Sequence, residues 1–119
     1  MKVAISSTGK SLGDELDPRF GRAAGFILFD TDTGHSEHID NTGNQQASKG
    51  AGIHAAQNVS RAGAEAVISG HIGPKAYAAL ESAKIQVYQS EVKSVQDVIE
   101  DFKRDRLSCL DNPDRDRKS

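Results

Sequence analysis

The sequence of 119 residues is poor in cysteine, in aromatic residues and in long apolar runs, and each shortage excludes a class of protein. Its single cysteine, Cys109, excludes an internal disulfide and a zinc or iron–sulfur site held by several thiolates of one chain. Tryptophan is absent and aromatic residues make up 5% of the chain, which argues against a base-stacking surface for nucleic acids. No apolar run approaches the roughly 20 residues of a membrane span. We therefore expect neither nucleic acid nor a membrane as a partner.

The length and the charge of the chain indicate one small acidic domain. A net charge of −2 and a pI near 6.0 provide no general attraction to nucleic acid. Residues 1–7 lack the apolar core of about 7–15 residues that a signal peptide needs, so we expect a cytoplasmic protein. We predict a single domain over residues 1–107, because domains typically span about 100–150 residues. Residues 108–119 are rich in charge and are predicted to form a disordered tail.

Apolar runs bounded by turn residues predict five strands, at residues 2–6, 26–30, 35–40, 66–69 and 86–88. Capping residues and apolar periodicity predict three helices, which begin near Ser48, Pro74 and Ser94. The first helix is expected to run to about Ala62 and to stop at Gly63. The second and third strands form a hairpin, whereas the alternation of strand and helix afterwards predicts parallel strands with right-handed crossovers.

Three glycine-rich polar loops follow strands that this arrangement points in one direction. The loops cover residues 7–25, 41–50 and 70–74, and they emerge at the same edge of the predicted sheet. Ligands of open α/β sheets bind at the carboxyl edge of the strands. This convergence predicts a binding site.

The first loop carries two arginines in the segment Arg19-Phe20-Gly21-Arg22. Guanidinium groups in a loop with free backbone N–H groups suit a polyanion, which is the interpretation that we favour. The alternative is a loop that forms salt bridges to Asp14, Glu15 or Asp17, with Phe20 tucked into the core.

Two predicted helix starts add positive dipole ends on the same side of the sheet. The first begins in the segment Gly50-Ala51-Gly52, and the second begins at Gly73 and Pro74. Small residues at both starts would let the backbone approach a large ligand closely. We therefore include Gly50, Gly52, Gly73 and Pro74 in the predicted site.

The four histidines differ in how well their predicted positions suit a metal ligand. His35 and His38 lie three residues apart on a strand and so point to opposite faces, which argues against chelation. His54 is predicted to be a surface residue of the first helix. His71 lies in a glycine-flanked turn at the shared edge and is our candidate metal ligand, with a helix cap or a solvated side chain as the alternative.

Signals for catalysis are weak throughout the sequence. The segment Gly9-Lys10-Ser11 resembles the end of a phosphate-binding loop, but Ala4 stands where that motif requires glycine. Hydrolysis of phosphate esters on two metals needs several converging carboxylates, and the strands carry few beyond Asp30 and Asp40. We therefore expect a protein that is not an enzyme, with a metal-dependent phosphoesterase as the least favoured alternative.

The residues Lys2-Val3-Ala4-Ile5-Ser6, Phe20-Gly21-Arg22, Gly50-Ala51-Gly52-Ile53 and Gly70-His71-Ile72-Gly73-Pro74-Lys75-Ala76 follow one another in one order. Together they resemble the dinitrogenase iron–molybdenum cofactor biosynthesis family of NifX-like proteins, over about residues 1–107. The resemblance implies a three-layer α/β/α domain of ribonuclease-H-like fold. Its five-stranded mixed sheet would have the order 3-2-1-4-5, with strand 2 antiparallel.

The resemblance also implies a function, because members of this family bind or carry the iron–molybdenum cofactor, its precursors or related metal–sulfur clusters. Such clusters are anionic and bring their own sulfides. Cluster donor or acceptor proteins would be the further partners. Two positions depart from the family pattern: Arg19 replaces a histidine that is the favoured cluster ligand, and Ala23 replaces a cysteine that many members have. Docking by the charges of Arg19 and Arg22 remains open to this chain.

We therefore expect a non-enzymatic binding or carrier protein for an anionic metal–sulfur cluster, the iron–molybdenum cofactor being one example. The alternative is a protein-interaction or regulatory module on the same scaffold, whose cluster site has decayed. The expected site residues are Arg19, Phe20, Gly21, Arg22, Gly50, Gly52, His71, Gly73 and Pro74, with His71 as the metal ligand.

Overall fold

The structure is a computed structural model that describes residues 1–44 and 50–110. This part of the chain forms six strands and three helices, and strand and helix alternate after the third strand. In chain order they are β1 (Lys2–Ser7), β2 (Gly25–Asp30), β3 (Ser36–Asp40), α1 (Ala51–Arg61), β4 (Ala66–Ser69), α2 (Pro74–Ser82), β5 (Gln86–Gln89), α3 (Val95–Lys103) and β6 (Ser108–Leu110). A short 3-10 helix at Thr42–Asn44 follows β3.

The strands form one mixed sheet with the order β3-β2-β1-β4-β5-β6. β2 runs antiparallel to both of its neighbours, and β1, β4 and β5 are parallel to one another. The register places Ile5 beside Ile27 on one side and beside Ile68 on the other, so the centre of the sheet is apolar. The predicted order and directions of the first five strands therefore agree with the structure. The ribonuclease-H-like label remains an expectation from the resemblance.

The predicted number of strands was wrong, because a sixth strand, β6, pairs antiparallel with β5. It covers residues 108–110, which the sequence analysis assigned to the disordered tail. Three residues are too few to show the alternation that identifies a strand, and the charged residues Arg106 and Asp111 lie close on either side of them in the sequence. Cys109 pairs with Tyr88, and the Leu110 carbonyl accepts a hydrogen bond from the Tyr77 hydroxyl. The remainder of the predicted tail lies outside the described residues.

Helices cover both faces of the sheet, as a three-layer α/β/α arrangement requires. α1 and α2 pack on one face, where Val59 and Leu80 join the core around Val67 and Phe26. α3 packs on the other face and buries Val95, Val98 and Ile99 against strand residues. In the described part of the chain, no helix has both the length and the apolarity to cross a bilayer.

Helix ends follow the sequence signals wherever the structure describes them. Ser94 accepts a hydrogen bond from the N–H of Asp97 and so caps α3, and Pro74 occupies the start of α2. Gly63 ends α1 with a φ of 91°, and its N–H donates to the Ser60 carbonyl, which is the usual glycine stop. α1 begins at Ala51, and the predicted cap Ser48 lies outside the described residues.

Two glycines permit close contact among α1, α2 and the loop after β1. A Cβ on Gly52 would lie 2.9 Å from the Cβ of Ala76, so α1 and α2 touch there. A Cβ on Gly21 would lie 2.8 Å from the backbone nitrogen of Gly52. The sequence analysis assigned Gly52 to close approach by a ligand, whereas the structure assigns it first to packing between helices.

We predict that Gly21→Ala lowers the free energy of unfolding by about 1–3 kcal/mol, the usual range for overpacking. The added methyl group meets backbone atoms of α1, which cannot move aside as a flexible side chain would. Denaturant unfolding measures the change. Gly43→Ala is the matched control, because nothing lies within 4 Å of a Cβ there. Equal stabilities of the two variants would contradict the packing role of Gly21.

Candidate functional site

All nine predicted site residues line one cavity of about 530 Å³ at the carboxyl edge of β1 and β4. The loop after β1, the turn after β4 and Gly50, which precedes α1, meet there, because β1, β3 and β4 point in the same direction. The lining residues are Arg19, Phe20, Gly21, Arg22, Gly50, Ala51, Gly52, Ile53, His71, Gly73, Pro74, Lys75 and Ala76. The structure thus brings the predicted residues together, and their roles in binding remain predictions.

Buried serines at the ends of β1 and β4 anchor the loop that carries the arginines. The Ser6 hydroxyl donates to the Asp17 carbonyl oxygen at 2.6 Å, and its oxygen lies at hydrogen-bonding distance, 2.8 Å, from the Ser69 hydroxyl. The backbone N–H of Asp17 donates to the Ser6 carbonyl at 2.8 Å. All three residues are buried. The start of the arginine segment is therefore fixed to the sheet.

The turn after β4 holds the next part of the same segment. The N–H of His71 donates to the Pro18 carbonyl at 2.7 Å, and the N–H of Phe20 donates to the His71 carbonyl at 3.3 Å. Gly70 makes this contact possible, because a Cβ on it would lie 2.8 Å from Pro18. Arg19 and His71 consequently pair like residues of neighbouring parallel strands, one from each loop.

Arg19 forms an ion pair with Asp17, as the alternative interpretation of this loop expected. Its Nε donates to Asp17 Oδ1 and its Nη2 donates to Oδ2, each at 3.2 Å. The side chain of Arg19 is 64% exposed, whereas that of Asp17 is 3% exposed. The hydrogen bonds to Asp17, together with its charge, raise the pKa of the Arg19 guanidinium above its ordinary value.

Phe20 is a core residue, 1% exposed, as the alternative interpretation of this loop, and not the favoured one, expected. Its ring lies 5.3 Å from the ring of Phe26, centre to centre, in a tilted arrangement. Burial of a phenylalanine ring is strongly favourable. Phe20 lies next to a turn, and this position lets its ring reach the core. Phe20 contributes an apolar part of the cavity wall while it anchors the loop.

Asn41 joins the far end of the loop to α1. Its Nδ2 donates to the Ala23 carbonyl at 2.9 Å and to the Gly21 carbonyl at 3.3 Å. Its Oδ1 accepts a hydrogen bond from Asn58 Nδ2 of α1 at 3.0 Å. Because Asn41 is buried, these bonds fix Gly21 against the first turn of the helix.

The first turns of α1 and α2 both face the cavity, and their N-cap residues, Gly50 and Gly73, provide no side-chain cap. The first N–H groups of a helix have no acceptor within the helix. Ala51, Gly52 and Ile53 in α1, and Lys75 and Ala76 in α2, carry such groups and line the cavity. Neither first turn contains an acidic residue. Both helix dipoles therefore present their positive ends to the same space.

Positive side chains outnumber negative ones at the cavity. Arg19, Arg22 and Lys75 line it together with His71, and none of the described lining residues is Asp or Glu. Asp17 lies behind Arg19 and compensates one of these charges. The arrangement can attract an anion although the whole chain is slightly acidic.

The histidines take the positions that the sequence analysis assigned to them. His71 is exposed at the cavity, and His54 is an exposed residue of α1. His35 is exposed beside Glu37, whereas His38 lies over Gly25 on the sheet. Within residues 1–44 and 50–110, no group of three or more His, Cys, Asp or Glu side chains could hold a metal ion.

Sequence reasoning missed two polar residues of the site. Lys75 follows Pro74 and so belongs to the first turn of α2, a position that the predicted helix start already fixed. The sequence offers Asp17 only as one of three acidic residues of the loop that could form a salt bridge with its arginines. Its burial could not be read from the sequence, because acidic residues are rarely buried and the fold alone places it beneath Arg19.

The sequence profile of the dinitrogenase iron-molybdenum cofactor family matches residues 1–105. The chain belongs to this family. A relative of this family member, an uncharacterised protein from Methanocaldococcus jannaschii, is 31% identical over 110 residues, which are 90% of this chain and 89% of that protein.

Two solved structures resemble this family member over nearly their whole length. The apo form of the orange protein from Desulfovibrio gigas has a TM-score of 0.91 and 37% identity, over 96% of each chain. A candidate NifB protein from Thermotoga, solved by NMR, has a TM-score of 0.83 and 34% identity, over 98% of each chain. The resemblance inferred from the sequence is thus confirmed.

This family member departs at Arg19 and Ala23 from the pattern that the resemblance describes. Arg19 lines the cavity, so a histidine at this position would belong to the cavity wall. Ala23 is fully buried and does not belong to the cavity wall, so a thiol at this position would face the interior. The loss of a cysteine at position 23 therefore changes the cavity less than the replacement of a histidine at position 19.

Proposed function

We propose that this protein binds an anionic metal–sulfur cluster in the cavity and carries it without catalysing a reaction on it. The observation that carries the proposal is the convergence of two uncapped helix starts with Arg22, Lys75 and His71 around one open space. Helix N-termini bind anions through backbone N–H groups and through the dipole. The iron–molybdenum cofactor, one of its precursors or a related cluster is the proposed cargo.

The size and the walls of the cavity favour a cluster over a simple ion. A volume of about 530 Å³ falls in the range of small-molecule sites, roughly 300–1,000 Å³. Phe20, Ile53, Pro74 and Ala76 supply apolar surface beside the polar groups. A strongly hydrated oxyanion loses water at these apolar walls and gains no hydrogen bonds from them in return. The sulfide surface of a cluster is soft and weakly hydrated, so it loses less.

The ligands available also favour a cluster that brings its own sulfides. No group of three or more metal-binding side chains is formed by the described residues, and His71 is the metal-binding side chain among those that line the cavity. A bare transition metal usually takes three or four protein ligands. A preformed cluster needs at most one here, and its charge supplies the rest of the attraction.

The family and its relatives support this proposal through what their names say. The matching family is described by the dinitrogenase iron-molybdenum cofactor. One structural relative is described as an apo form and another as a candidate NifB protein. Cluster donor and acceptor proteins are the partners that a carrier would need.

The first test is uptake of a coloured molybdenum–sulfur anion, tetrathiomolybdate, followed by desalting. We predict that visible absorption stays with the protein and is lost in Gly73→Leu. Gly73 has a φ of −68°, which any residue adopts, and no atom lies within 4 Å of a Cβ there, so the side chain enters the open space.

Gly43→Leu is the matched control, because its Cβ also meets nothing within 4 Å and it does not line the cavity. It should retain the absorption of the unsubstituted protein. If the unsubstituted protein retains no colour, an interaction module with a decayed site becomes the better account. A stable partner protein in a pull-down would then support that alternative.

We predict that Arg22→Ala and Lys75→Ala each weaken tetrathiomolybdate binding by about 1–3 kcal/mol, the range for charge-assisted hydrogen bonds. Exposed charges are screened over about 8 Å at physiological ionic strength, so affinity should also fall steeply with added salt. Titration at several salt concentrations measures both effects. Arg106→Ala, which removes an exposed charge away from the cavity, should change neither. Affinity that is independent of salt would rule out binding by charge.

His71→Ala should act differently from the charge variants. If the imidazole ligates a metal of the cluster, its loss shifts the visible spectrum of the complex and leaves the salt dependence as it was. Absorption spectra of the two complexes at equal saturation decide the point. Identical spectra would show that His71 is no ligand, and backbone N–H groups would then hold the cluster with the charged side chains.

A further inference from the structure

Asp17 is a buried carboxylate at the edge of the cavity that the proposed function leaves unexplained. Its side chain is 3% exposed, and the ion pair that the described residues give it is with Arg19. A buried carboxylate is costly unless a charge and hydrogen bonds compensate it. Arg19 therefore has a structural role, the compensation of the Asp17 charge, that does not involve a ligand.

The geometry of the pair occupies both oxygens of Asp17. Oδ1 accepts the backbone N–H of Arg19 at 2.9 Å and its Nε at 3.2 Å, and Oδ2 accepts Nη2 at 3.2 Å. A fork of this kind fixes the plane of the guanidinium as well as its position. The charge of Arg19 is therefore largely neutralised by Asp17, which lies in the same loop.

The backbone of Asp17 is fixed to the sheet on both sides of its side chain. Its N–H and its carbonyl are both bonded to Ser6 of β1, and Ser69 of β4 lies against the same carbonyl. The neighbouring Pro18 is bonded to His71 and packed on Gly70. The backbone that carries the carboxylate is thus held at one place, and the bonds to Arg19 hold the carboxylate itself.

We propose that Asp17 and Arg19 form a fixed internal ion pair that sets the charge of the cavity, with Arg19 as the counter-ion of Asp17 and not as a ligand of the anion. This inference rests on the proposed function and deepens it. The attraction for an anion then comes from the helix starts and from the other cationic side chains. Loss of Arg19 harms binding because it leaves the negative charge of Asp17 uncompensated beside the anion.

A double-mutant cycle with tetrathiomolybdate separates the two roles of Arg19. Arg19→Gln should weaken binding on the order of tenfold, since an unpaired charge now repels the dianion. Asp17→Asn with Arg19→Gln has the net charge of the unsubstituted protein and should bind within about threefold of it. A double variant that binds as weakly as Arg19→Gln would show that Arg19 acts on the anion directly and not by compensating Asp17, and that result would overturn the proposal.

The salt dependence distinguishes a charge effect from a merely structural one. Asp17→Asn leaves Arg19 without its partner, so affinity at low salt should rise and should fall more steeply as salt is added. The double variant should keep the slope of the unsubstituted protein. Arg19→Lys keeps the charge and loses the fork, and should bind more tightly than Arg19→Gln. Equal slopes in all variants would contradict the inference.

A second cycle, on thermal unfolding of the apo-protein, needs no ligand. Arg19→Gln should lower the melting temperature clearly when Asp17 is present and much less when residue 17 is Asn, because only the first case leaves a buried charge unpaired. If tetrathiomolybdate binds to no variant, the proposed function fails while this cycle still decides the ion pair. Equal losses in both backgrounds would overturn the proposal.

Discussion

The hydrogen bond from the Ser6 hydroxyl to the Asp17 carbonyl, 2.6 Å long and buried between β1 and β4, is the contact on which the candidate site depends. It attaches the arginine segment of a loop of about 17 residues, 8–24, that has no helix or long strand of its own. A bond in a buried place is strong because water cannot compete for either partner. From that point the chain can run beside the turn after β4 and reach α1 in a fixed position.

The consequences reach both helix starts. Because the loop is held, Gly21 can lie against Gly52, and Gly52 can lie against Ala76 of α2. These two contacts admit no side chain, so they fix the separation of the helix N-termini as firmly as a large apolar contact would. The N–H groups of both first turns then surround one space. The same glycines therefore allow the close packing that brings both helix starts to the proposed anion site.

Sequence reasoning predicted the architecture well where the signals are local. Pro74 and Ser94 mark helix starts, Gly63 marks a helix end, and the apolar runs of β1, β2 and β4 need no tertiary information. Strand direction then followed from short connections and crossovers, and the direction placed the three loops at one edge.

The errors occurred where the outcome depends on contacts between distant parts of the chain. β6 has three residues and exists because the edge of β5 and the Tyr77 hydroxyl give it partners. Phe20 and Asp17 have similar surroundings in the sequence, a polar loop with glycine and proline, and both are buried for reasons that only the fold supplies. Phe20 packs against Phe26, and Asp17 is hydrogen-bonded to Ser6 near the end of β1.

The same features explain how a carrier could hold a cluster and also release it. A site with three or four thiolate ligands binds a metal tightly and exchanges it slowly, whereas the described lining residues of this cavity provide one imidazole and no thiol. Attraction by helix starts and surface charges falls quickly with distance in salt water, so a cluster that moves out by about one Debye length, roughly 8 Å, is no longer held. An acceptor with covalent ligands could then take the cluster without displacing several protein bonds. Weak ligation at a preorganised cationic cavity is therefore what the proposed function requires. In the proposed arrangement Arg19, whose charge is paired with that of Asp17, keeps the cavity in place without adding a ligand.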